Sequence, residues 1–115
     1  MLKPQYRLKK RTAFTATYRT GKSIHKNGVT LFFGKEKTND LPTKIGFVVS
    51  KKIHKRAVKR NRIKRLMRES VRLYIKNIDN FDTKYISLIF VASTKLLNKN
   101  YSEVSETINK LLGEI

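Results

Sequence analysis

The sequence predicts a single α+β domain, an α/β sandwich of helices on a small sheet, in the order α-β-β-α-β-α over residues 1–115. Three observations carry this. Apolar residues make up 39% of the chain, enough for one modest core and too many for a disordered basic tail. Two short stretches read as strands by their period of two, and a third is apolar throughout. Two later stretches place apolar residues at helical spacing instead. No repeat, low-complexity segment or second domain interrupts the series.

Residues 1–11 are basic and are expected to run extended, with Pro4 near the start. Thr12 can cap a short helix from Ala13 to Thr20, and Gly21 suits the left-handed turn that would end it. Phe14 and Tyr18 stand four apart and share one face of that helix. Two readings stand for the pair: both rings in the core, or half-buried rings lining a groove where unstacked bases could lie. Val29 to Phe33 reads as a strand, with Val29, Leu31 and Phe33 facing one way and Thr30 and Phe32 the other. Lys44 to Ser50 reads as a second, with Ile45, Phe47 and Val49 alternating against Gly46, Val48 and Ser50. The polar loop between them, with Asn39-Asp40 and Pro42, suggests an antiparallel hairpin. Tyr85 to Ala92 has bulk on both faces and fits a central strand. Asn100 followed by Glu103 resembles a capping box, opening a helix whose stripe is Tyr101, Val104, Ile108, Leu111, Leu112 and Ile115.

Lys51 to Arg56 leads into a longer helix, expected to end near residues 77–80. Ile63, Leu66, Met67, Ser70 and Tyr74, flanked by Val71 and Ile78, form a stripe for burial. Asn61, Lys64, Arg65, Arg68 and Arg72 repeat that spacing on nearly the opposite side. The chain holds 27 Lys+Arg against 8 Asp+Glu, a formal charge of +19. Residues 51–76 carry twelve of the basic residues and only Glu69 as an acid, which can pair with Arg65 or Arg72. Residues 77–115 are close to neutral. A solvated helix would be laced with ion pairs, and this one is not, so the basic face asks for a polyanion. Arginine's planar fork suits phosphate oxygens and base edges. A membrane surface fits less well, because the opposite face is committed to a core. No helix-turn-helix partner precedes the helix and no dimerising heptad follows it, which favours RNA over DNA.

Catalytic chemistry is absent from the pattern. His25 and His54 are the only histidines, and neither has a second ligand at metal spacing. Glu36, Asp40, Asp79 and Asp82 lie in polar stretches with nothing to pair them for acid–base work. There is no glycine-rich phosphate loop and no serine elbow. No cysteine is present, no window approaches a membrane span, and the start lacks the apolar run of a secretory signal. These features fit the cytosol.

The run Gly46-Phe47-Val48-Val49-Ser50-Lys51-Lys52, followed by Arg56 to Glu69, resembles the protein subunit of bacterial ribonuclease P. The family's signature, the RNR motif, stands here as Arg60-Asn61-Arg62, with Lys64-Arg65 and Arg68 following. The resemblance extends to Arg7-Leu8-Lys9-Lys10, to Phe14, Tyr18 and Gly21, and to the late strand and terminal helix. It implies a subunit without catalytic residues of its own, in an endoribonuclease whose RNA, with Mg²⁺, cuts the 5′ leader from precursor tRNA. It further implies that Arg56, Lys59, Arg60, Asn61, Arg62, Lys64, Arg65, Arg68 and Arg72 grip the catalytic RNA. Phe14, Tyr18, Phe32, Ser50, Lys51 and Lys52 would line or edge the cleft for the single-stranded leader. The implied partners are the ribonuclease P RNA and precursor tRNA, with no membrane, no protein partner and no metal held by the protein. The location implied is cytoplasmic. The implied fold is similar to the second domain of a small-subunit ribosomal protein, with a left-handed β-α-β crossover where general rules predict a right-handed one. Lys26-Asn27-Gly28 departs from the family pattern, and so does the end at Ile115 without a basic tail. The competing classes are a ribosomal or other structural RNA-binding protein and a DNA-binding regulator.

Overall fold

The structure, a computed structural model, describes residues 3–78 and 83–115. Asp79 and Asp82 lie outside these residues. Three helices and a four-stranded sheet make up the described chain: α1 (Arg11–Arg19), β1 (Ser23–Lys26), β2 (Val29–Phe33), β3 (Lys44–Val48), α2 (Ala57–Lys76), β4 (Ser87–Ala92) and α3 (Tyr101–Glu114). Short 3-10 turns at Pro4–Tyr6 and Thr94–Asn98 precede α1 and α3. The α+β class is as expected from the sequence.

The strand pairing is not the expected one. The sheet order is β1-β2-β4-β3, so β4 separates the two strands that the loop between them suggested as a hairpin. β4 pairs antiparallel with β2, Phe32 opposite Ile89, and parallel with β3, Gly46 opposite Ile89. The reason is burial: Leu88, Ile89 and Phe90 are wholly inaccessible, and only a strand with neighbours on both edges and layers on both faces can hide such a run. β3 and β4 run parallel and side by side, so their connection must cross the sheet, and α2 is that crossover.

A further strand, β1, pairs with β2. Its turn is Asn27-Gly28, with φ of 45° and 92°, the two-residue loop with both φ positive that suits twisted hairpins. A Cβ on Gly28 would stand 2.8 Å from the Lys95 Cβ, so this turn needs glycine for space as well as for φ. Sequence reading placed Thr12 as the first cap, but α1 begins at Arg11 behind Lys10 and has no side-chain cap. It ends where expected, with Gly21 at φ 68°.

One face of the sheet holds the core. Val29 and Leu31 of β2, Ile45 and Phe47 of β3, and Leu88 and Phe90 of β4 meet α2 through Ile63, Met67 and Val71. Val104, Ile108, Leu111 and Leu112 of α3 complete it. Burying each of these large side chains is worth roughly 1.5–3 kcal/mol. Of the stripe expected on α2, Leu66 and Tyr74 are half-buried at the rim and Ile78 is 40% exposed. Ser70 is buried and donates back to the Leu66 carbonyl at 2.7 Å, which removes the penalty of a hydroxyl in the core. The reciprocal capping box of α3 is formed: Asn100 Oδ1 accepts from the Glu103 amide at 2.9 Å, and Glu103 accepts from the Asn100 amide at 3.2 Å. Asn100→Ala is expected to cost about 1 kcal/mol, read as a lower denaturant midpoint at unchanged slope.

Candidate nucleic-acid interface

α2 presents its unburied side as a broad basic face. Arg56, Lys59, Asn61, Arg62 and Arg65 are exposed, and Arg60, Lys64, Arg68 and Arg72 are half-buried along its flanks. The face is not uniform. Arg62 Nη2 donates to the Lys99 carbonyl at 3.0 Å and ties the helix to the turn before α3. Arg60 Nη1 donates to the carbonyls of His54 and Lys55, at 2.8 and 2.7 Å. Arg72 is answered by Glu69, its Nε lying 3.1 Å from each carboxylate oxygen. Of the two pairings open to Glu69 in the sequence, this is the one formed. The hydrogen bond from Arg72 is the main reason the Glu69 carboxyl sits below its usual range. Arg56, Lys59, Arg60, Arg62, Lys64, Arg65 and Arg68 carry no ion pair among the described residues, so the face keeps nearly all of its positive charge.

The basic N-terminal segment joins this face. Arg7 bridges Ile45 in parallel, and the Leu8 amide donates to the Ile45 carbonyl at 2.9 Å, which covers part of the free edge of β3. The segment thereby brings Arg7 and Lys9 to a hollow of about 380 Å³ shared with Lys64 and Arg68. Sequence reading took residues 1–11 only as a basic, extended segment. Nothing in local spacing could have placed them beside residues more than fifty positions away.

α1 forms the wall of a second surface. It lies on the sheet face opposite the core and touches β3, β4 and β2 in turn. Phe14 rests on Gly46, where a Cβ would stand 2.6 Å from the ring. Thr17 is buried and shares a hydroxyl–hydroxyl bond with Ser87. Tyr18 meets Phe32 edge-to-face, with centroids 4.9 Å apart and planes at 79°. Thr20 fixes the helix end by donating to the Phe33 carbonyl at 2.7 Å. Beside this wall the same sheet face continues through Thr30, Val91 and Val48, adjacent in register and only half-buried. An aromatic wall thus stands beside a half-buried sheet floor, and the two make a candidate groove.

Phe14 and Phe32 are half-buried and Tyr18 is 38% exposed, and all three lie on the sheet face opposite the core. Partial burial also raises the Tyr18 phenol above its ordinary pKa, leaving it a neutral hydrogen-bond donor at physiological pH. Thr30, Val48 and Val91, the floor, were not singled out from sequence, although they have the parity opposite to the core positions. Ser50, Lys51 and Lys52 are exposed just past the end of β3, at the mouth of the groove where Val48 lies beside Val91. The turn they begin, 50–56, leads directly into α2. It carries Lys51, Lys52, Lys55 and Arg56 around a hollow of about 560 Å³.

Two outcomes follow from this geometry. Gly46→Ala should push Phe14 off the sheet and cost about 1–3 kcal/mol, as overpacking does, read as a lower denaturant midpoint. Glu69→Gln should release Arg72 and steepen the salt dependence of RNA binding by up to about one unit in a log–log plot. As for stability, the folded-state pKa of Glu69 lies below the unfolded value. Its contribution is therefore present above the ordinary carboxylate range and is lost as pH falls through the lowered value.

Residues 2–115 match the family described as Ribonuclease P. The ribonuclease P protein component of Clostridium novyi (strain NT) is 37% identical over 111 residues, covering 96% of this chain and 94% of that protein. The component of Synechococcus sp. (strain JA-2-3B'a(2-13)) is 32% identical over 114 residues, covering 97% and 83%. Among solved structures, the Staphylococcus aureus RNase P protein superposes with a TM-score of 0.78 at 26% identity, covering 95% of this chain and 94% of that one. The Thermotoga maritima RNase P protein gives 0.77 at 26% identity, covering 95% and 96%. With its Arg60-Asn61-Arg62 helix packed on the sheet and its basic face turned outward, the chain belongs to the ribonuclease P protein family.

Proposed function

We propose that the chain serves ribonuclease P by gripping two RNAs on two surfaces. The basic face of α2, through Lys59, Asn61, Lys64, Arg65 and Arg68 with Arg56 at its start, docks on the catalytic RNA. The groove along α1 takes the unpaired 5′ leader of precursor tRNA, with Phe14, Tyr18 and Phe32 offering ring faces and edges to bases. Ser50, Lys51 and Lys52 meet the leader's phosphates at the groove mouth. One observation carries the reading: two surfaces suited to RNA by different physics, charge on α2 and half-buried rings on α1, are joined by one short basic turn.

Cleavage belongs to the RNA subunit in this reading, with Mg²⁺ as its ion, and the chain supplies binding and orientation. The expected location is the cytoplasm, where precursor tRNA is processed. Among the described residues no helix is long and apolar enough to cross a membrane.

The test is reconstitution with a bacterial ribonuclease P RNA at near-physiological Mg²⁺. Leader removal should exceed that of the RNA alone, and no gain would sink the reading in favour of a structural RNA-binding role. Replacing Lys64, Arg65 and Arg68 together by glutamine should lower the salt slope of assembly by about one unit per lost phosphate contact. An unchanged slope would mean that the face is merely solvated. Tyr18→Leu or Phe32→Leu should weaken precursor binding by about 1–3 kcal/mol per lost stacked base, with mature tRNA little affected. Equal losses for both would place the leader elsewhere.

A further inference from the structure

Arg60, the first residue of the Arg60-Asn61-Arg62 motif, is bonded to the protein's own backbone. Its Nη1 gives both hydrogens to carbonyls of the preceding turn, His54 O at 2.8 Å and Lys55 O at 2.7 Å. It is half-buried, while Lys59 and Asn61 on either side are exposed. The turn it holds is stitched at two further points. The Ile53 amide donates to the Ser50 carbonyl at 3.0 Å, and the Arg56 amide donates to His54 Nδ1 at 3.0 Å. Lys51, Lys52, Lys55 and Arg56 carry like charge within six residues, with no acid among them, so repulsion favours a splayed turn. Carbonyl dipoles aimed at a central guanidinium oppose that spreading. The same turn spans from the groove mouth, after β3, to the first residue of α2.

We propose that Arg60 is a positioning residue, whose fork locks the basic turn 51–55 onto α2 and so sets the spacing between the groove mouth and the helix face. The inference rests on the reading of those two surfaces as leader and catalytic-RNA sites. A phosphate contact needs only a positive charge, which lysine also supplies. Both clamp bonds leave the terminal Nη1, so the clamp needs the longer reach of the arginine side chain, which lysine lacks. Lysine and glutamine are good helix formers, so Arg60→Lys and Arg60→Gln should both keep α2.

The first measurement uses the free full-length chain. Backbone amide order parameters for residues 51–55 should fall in both variants from the rigid value of about 0.85 to below about 0.6, with β4 amides unchanged as the control for folding. The second uses the particle reconstituted with ribonuclease P RNA. Both variants should lose preference for precursor over mature tRNA by roughly tenfold. Arg60→Lys should retain the wild-type salt slope of assembly. The proposal is overturned if Arg60→Lys keeps both the rigid turn and the preference while only Arg60→Gln loses about one unit of slope, the signature of a phosphate contact. A loosened turn with undiminished preference overturns it equally. A wild-type particle with no precursor preference would fail the leader reading itself. The order parameters would still support the clamp or reject it.

Discussion

The structure depends on the placement of β4. Its run Leu88-Ile89-Phe90 has no accessible surface, so both faces and both edges must be covered. The edges take β2 and β3, and the faces take α2 with α3 on one side and α1 on the other. A parallel neighbour in β3 then forces a crossover, and the crossover must bury one stripe against the sheet. Once Ile63, Met67 and Val71 are committed to that core, the other side of α2 can only face outward. The basic face is therefore aimed by the same constraint that hides β4.

Charge and fold pull against each other. Of the eight basic residues Arg56, Lys59, Arg60, Arg62, Lys64, Arg65, Arg68 and Arg72, only Arg72 forms an ion pair among the described residues, and the surplus of +19 repels itself. The fold answers with backbone oxygen. Arg60 and Arg62 reach carbonyls of the turn before α2 and of the turn before α3, so two cations of the motif fasten the helix at both flanks without adding a carboxylate. Glu69 is the exception, and it is spent on Arg72, near the far end of the helix and away from the turn that joins α2 to β3. The net field stays positive where a polyanion would meet it.

Much of this was legible in the chain. The two helical stripes, the capping box at Asn100 and Glu103, and the doubly apolar run of β4 are local patterns, and each formed where it was read. The pairing of strands was not legible, because two strands consecutive in sequence and joined by a polar loop suggest a hairpin, while burial of β4 decides otherwise. β1 had a signal in Asn27-Gly28, a turn pair with flanking residues too polar to read as a strand. On the site, the basic face and the aromatic pair came from spacing. That Gly46 is the seat for Phe14, or that Arg7 and Lys9 stand beside Lys64 and Arg68, depends on contacts between distant segments and has no local trace.

The N-terminal segment that bridges Ile45 also guards a sheet edge. An RNA with many phosphates gathers cationic chains and holds them at high local concentration, which is where an open strand edge is most hazardous. β3 is the sheet's outer strand on that side, and its backbone is partly occupied by Arg7 and Leu8. Lys3, Lys9 and Lys10 flank the bridge. Another strand approaching that edge would meet a like-charged fence and a backbone already partly taken.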